Sequence, residues 1–145
     1  MNGAATGREA RRLMARILAV DDSRAAIAWV RAVLEPAGHT VDTLSSFVTL
    51  YPYLRDTPPD LILLDVEMPA MSGPDFANFV KRYQKTPIPV LLHSSASPAV
   101  VRQAAKDCGA SGTVPKNAGA DALKRAVEAV LHPQEQGHQP TTAPV

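Results

Sequence analysis

Four apolar runs in this chain each lead directly into polar residues. Asp21 and Asp22 follow "ILAV", Asp65 follows "LILL", Ser94 follows "PVLLH" and Lys116 follows "GTVP". A strand buried on both faces has no use for a charge in its middle, but it can deliver one at its end. If these runs lie parallel and side by side, their carboxyl ends share one edge, where ligands bind in open α/β sheets. Three carboxylates crowded there repel, and each favours protonation unless a cation shares the space. A divalent ion removes the conflict. Mg2+ prefers oxygen ligands, keeps several waters and takes one or two carboxylates. Lys116 adds a fixed positive charge, yet a lone ammonium does not demand three acids. The surplus suits an arriving anion: a phosphoryl group clamped by metal and lysine and accepted by a carboxylate nucleophile.

The elements that must position these side chains alternate along the chain. "RILAV" (16–20) reads as an all-apolar strand, and a helix follows over 24–34 with Ile27, Val30 and Leu34 on one face, stopped by Pro36 and Gly38. "HTVDTL" (39–44) alternates and reads as a strand with a wetter face; "LILLD" (61–65) and "IPVLLH" (88–93) are two further buried strands. Gly73 and Pro74 open a helix carrying Phe76, Phe79, Val80 and Tyr83. Ser97 and Pro98 suit the N-cap and first position of the next helix, whose inner stripe is Val101, Ala104, Ala105 and Cys108 and which ends at Gly109. "SGTVPK" (111–116) is a last short strand, with Pro115 tolerated if it lies at the sheet edge, and "ADALKRAVEAVL" (120–131) a last helix. Over 45–57, Ser46 can cap a helix containing Leu50 and Leu54, but Pro52 predicts one that is short, kinked or late to start. The order βαβαβαβαβα with apolar strands means a parallel α/β sheet covered on both faces.

Length and composition agree with one soluble domain. The chain has 145 residues, 46% hydrophobic and 20% charged. A net charge of +1 argues against a nucleic-acid partner, the single cysteine excludes an internal disulfide, and no apolar stretch suggests a membrane span. Residues 1–14 read as a flexible N-terminal extension, 15–132 as the domain, and 133–145, polar and rich in Pro and Gln, as a disordered tail or linker stub. Reducing conditions suit Cys108, and the expected compartment is the cytoplasm. Cys108 is expected to be packing, and His93, by alternation on its strand, a hydrogen-bonded core histidine. A strand-end Asx turn is the modest alternative for Asp21 and Asp22.

The stretches "ILAVDDS", "LILLDVEMPAMSG", "PVLLHSSAS" and "SGTVPK" together resemble the receiver domain of bacterial two-component response regulators, chemotaxis-type single receivers included. The resemblance implies a flavodoxin-like doubly wound (βα)5 fold with strand order 2-1-3-4-5. It further implies Asp65 as phosphoacceptor, Asp21 and Asp22 as an acidic pair holding Mg2+ (or Mn2+) together with Asp65, and the Glu67 backbone carbonyl as a further metal ligand. By the same likeness Ser94 is the hydroxyl that swings to the phosphoryl oxygen, Lys116 the lysine that pairs with it, and Ser95 a residue tuning access. The implied partners are a sensor histidine kinase or phosphotransfer protein and an unidentified downstream protein, with a homodimer through the last helix and strands as an option.

Two positions depart from the family pattern. Thr113 stands where an aromatic switch residue is common, and Asn117 stands where proline usually follows the lysine. A trans bond is expected before Asn117, since cis is costly there. Two other functions compete with the receiver reading. A phosphorylation-independent adaptor on the same fold is one. A haloacid-dehalogenase-type phosphatase is the other, but it needs an acid two residues beyond a nucleophile on the first strand, and Ser23 holds that place. Beyond accepting and losing its own phosphoryl group, no enzymatic activity is expected.

Overall fold

The structure, a computed structural model, describes residues 14–46, 49–67 and 88–133. The expected helix opening at Gly73 and Pro74, the N-terminal extension up to residue 13 and the tail from residue 134 lie outside the described residues. Five parallel strands form one sheet: β1 (Arg16–Val20), β2 (Thr40–Leu44), β3 (Leu61–Leu64), β4 (Val90–Ser94) and β5 (Gly112–Pro115). Their spatial order is β2-β1-β3-β4-β5, as the family resemblance implies. Four helices are described: α1 (Arg24–Leu34), α2 (Leu50–Asp56), α3 (Pro98–Cys108) and α4 (Ala120–Leu131).

Period-two alternation along the strands divides the core into two layers. Ile17 and Ala19 of β1 face Val30 and Leu34 of α1 and Leu123 and Val127 of α4. Leu18 and Val20 face the other way, against Leu50 and Leu54 of α2 and Cys108 of α3. Leu18, Leu34, Ile62, Leu92 and Leu123 are fully buried. Each such side chain contributes roughly 1.5–3 kcal/mol relative to exposure. This two-sided burial is why β1, β3 and β4 read as continuous apolar runs.

The helices begin and end on local signals. Ser23 caps α1 by accepting the Ala26 amide at 3.1 Å, and Ser97 caps α3 with Pro98 in its first turn. Gly109 closes α3 at φ 65°, a left-handed conformation that costs a side chain energy. Helix α2 is late to start, at Leu50 with Thr49 as its cap, rather than at Ser46. Pro52 therefore occupies the third helical position, where the backbone donor has no intrahelical partner to lose. Strand β5 is an edge, so the missing donor of Pro115 is tolerated. The bond before Asn117 is trans, as expected.

Candidate phosphoryl-transfer site

Backbone ladders carry the polar residues to one edge. The Asp21 amide donates to the Leu44 carbonyl at 3.1 Å and the Asp65 amide to the Val20 carbonyl at 3.0 Å, so β1 holds both acids against its neighbours. On the far side the Lys116 amide donates to the Ser94 carbonyl at 2.9 Å, which sets the lysine beside β4. The side chains then meet. Lys116 Nζ lies 2.8 Å from Asp21 Oδ2 and 3.7 Å from Asp65 Oδ2. One oxygen each from Asp21, Asp22 and Asp65 fall within 4.8 Å of one another. Asp21 and Asp65 are only 5% and 6% exposed, whereas Asp22 is open to solvent.

Each buried oxygen has a defined partner. Asp21 Oδ1 accepts the Ser23 amide at 2.9 Å, so the expected alternative, an Asx turn, is present. It coexists with the lysine contact, because the two oxygens of one carboxylate do different work. Asp65 Oδ1 accepts the Glu67 amide at 3.2 Å. Burial lifts the Asp65 carboxyl above the usual carboxylate range, opposed by the Glu67 amide, reinforced by the Asp21 charge and opposed again by Lys116. For Lys116, burial pulls the ammonium down, but the hydrogen bond and charge of Asp21, joined by Asp65, outweigh it and leave the pKa raised. A cluster with three acids and one ammonium retains excess negative charge, and the acids converge as oxygen donors on one small volume. That donor set fits a hard divalent cation.

The remaining predicted residues rim this cluster. Ser94 is 2% exposed, and its Oγ accepts the Ala96 amide at 3.0 Å. Ser95 Oγ donates to Glu67 Oε1 at 3.0 Å, a bridge across the mouth of the site that sequence reasoning missed because it joins two loops remote in the chain. Thr113 is not in the cluster. It is exposed on β5 and lines an adjoining cavity that Ser94 and Lys116 also line. Ser23, where a phosphatase of the alternative type needs an acid, caps α1 instead.

His93 requires a correction. It is buried at 3% exposure on the opposite face, as alternation predicts, but its Nε2 has no hydrogen-bond partner among the described residues. It stacks on Trp29 instead, with ring centroids 5.9 Å apart and 12° between the planes. Burial, aided by the Lys116 charge, pulls its pKa down to about 4. Cys108 is packed in the core, and burial pushes its thiol up, away from reactivity.

The family model of the response regulator receiver domain matches residues 17–128. This chain belongs to that family. Receiver relatives include the alkaline phosphatase synthesis transcriptional regulatory protein SphR of Synechococcus elongatus, 31% identical over 138 residues, covering 89% of this chain and 52% of that protein. A protein-glutamate methylesterase/protein-glutamine glutaminase of Anaeromyxobacter dehalogenans is 39% identical over 103 residues, 67% of this chain and 27% of that one. The chain thus spans about half or less of these two relatives. Among solved receivers, the chemotaxis response regulator CheY4 of Vibrio cholerae superposes with a TM-score of 0.70 at 30% identity, covering 81% of this chain and 99% of that one. No helix among the described residues is long and apolar enough to cross a membrane.

Proposed function

We propose that this receiver is a phosphorylation-driven switch whose acceptor is Asp65. The observation that carries the reading is the junction of Lys116 with Asp21 and Asp65 at 2.8 and 3.7 Å, inside a three-carboxylate cluster at the carboxyl edge of the sheet. A phosphohistidine on a kinase or phosphotransfer partner, or a small acyl phosphate, presents its phosphorus in line with Asp65. One Asp65 oxygen bonds to phosphorus as the bond to the donor breaks. The electron pair of that bond leaves with the donor, and a histidine donor's ring nitrogen is reprotonated from solvent. Positioning and charge neutralisation supply nearly all the catalysis.

Asp21, Asp22, Asp65 and the Glu67 carbonyl are the residues assigned to hold Mg2+ or Mn2+, which when bound neutralises charge on the phosphoryl oxygens. Lys116 exchanges its contact with Asp65 for one with a phosphoryl oxygen. Ser94 donates its hydroxyl proton to another, drawing its loop inward and changing the surface that a downstream protein reads. The Ser95–Glu67 bridge joins the loops that follow the acceptor and Ser94, and its side chains influence how long the phosphoryl group survives. The compartment assigned is the cytoplasm.

Incubation with acetyl phosphate and Mg2+, followed by intact mass measurement, tests the assignment. One added phosphate is expected in the native chain and none in Asp65→Asn. Equal labelling of both would overturn it.

A further inference from the structure

A second concavity lies beside this cluster, between the start of α3 and β5. Its volume is about 730 Å3, within the range of roughly 300–1,000 Å3 usual for small-molecule sites. Pro98, Val101 and Pro115 supply apolar walls, and Ser94 and Lys116 belong to the side shared with the Asp65 site. Arg102 and Lys116 are the two cations of the described lining, and no acid lies among those residues. Lys116 is committed to Asp21 and Asp65, whereas Arg102 has no ion-pair partner among the described residues. The small side chain of Thr113 leaves the space open.

From this combination we infer that the cavity binds a small organic anion with an apolar body, its charge directed to Arg102 and its body against Val101 and the prolines. A polypeptide strand suits the place less well. Pro115 removes a backbone donor from the only edge strand bordering the cavity, which spoils strand addition there. The site stands without the phosphoacceptor reading, but if that reading holds, the two sites share Ser94 and Lys116. Phosphorylation then changes the cavity's affinity for its ligand, and occupancy changes the phosphorylation equilibrium by the same factor.

Titration of the full chain with 2-naphthoate, followed by 1H–15N NMR and with neither Mg2+ nor phosphodonor present, tests the site. Saturable shifts confined to residues 94–102 and 113–117 are expected. Arg102→Ala should weaken the affinity about five-fold, as should replacing the probe by uncharged 2-naphthamide. Thr113→Trp should remove binding while the rest of its spectrum stays native. Absence of saturation, shifts mapping elsewhere, or equal binding of the acid and the amide would overturn the inference. Naphthoate binding in a protein that acetyl phosphate leaves unmodified would sink the phosphoacceptor reading and leave the cavity standing.

Discussion

Asp65 is a carboxylate that the metal-free fold holds at a disadvantage. Its pKa is raised in the folded state by burial and by Asp21, so folding favours its protonated form. The sign follows directly: the stability linked to this group is present at low pH and is lost as pH rises through its elevated folded value. At neutral pH without metal, Asp65→Asn should therefore stabilise the protein, seen as a higher Tm. A lower Tm for the variant would mean that the Lys116 contact outweighs burial and repulsion. His93 has the opposite linkage. Buried and held at about 4, it favours folding while neutral, so stability is complete above about 6.5 and is lost as pH falls toward 4. The full loss is about 3 kcal/mol. His93→Phe should flatten the Tm profile between pH 7 and 4.5, with the remaining slope coming from groups such as His39, also pulled down by burial.

At the scale of elements, the caps determine where the site loops begin. Ser23 ends the turn that Asp21 starts, so Ser23→Ala should cost about 1 kcal/mol through the lost cap while keeping the backbone amide that Asp21 accepts. Gly109 sits at φ 65° with nothing within 4 Å of a Cβ built on it, so its role is conformational and not steric. Gly109→Ala should cost about 1 kcal/mol, and Gly109→Asn less, in urea unfolding with an unchanged m-value. Such features were legible in the sequence because capping chemistry is local: Ser97-Pro98 and Gly109 mark α3 by themselves. The start of α2 was not. Ser46 is a good capping residue type, whereas Thr49 holds the N-cap position without a side-chain cap bond, and Pro52 excludes neither start until the helix register is known. The Arg16–Asp42–Tyr53 network that ties β1, β2 and α2 together was also unreadable, since its members are adjacent only once β2 pairs with β1.

For the whole molecule, continuous apolar strands made the layer architecture readable, and five polar positions at strand ends made one shared edge readable. Distances were beyond reach: nothing in the chain's order says that Lys116 approaches Asp21 more closely than Asp65. A ligand that binds only the folded cluster should stabilise the domain globally. At Mg2+ a hundredfold above its dissociation constant, the gain is about 2.7 kcal/mol, reversed by EDTA and largely absent in Asp22→Asn. Calorimetry with and without the ion checks this. The Trp29–His93 stack has a practical consequence. Trp29 is the chain's sole tryptophan, and its ring rests on the residue immediately before Ser94. Movement of that strand end on signalling should change the indole's surroundings, giving an intrinsic fluorescence reporter that needs no attached dye.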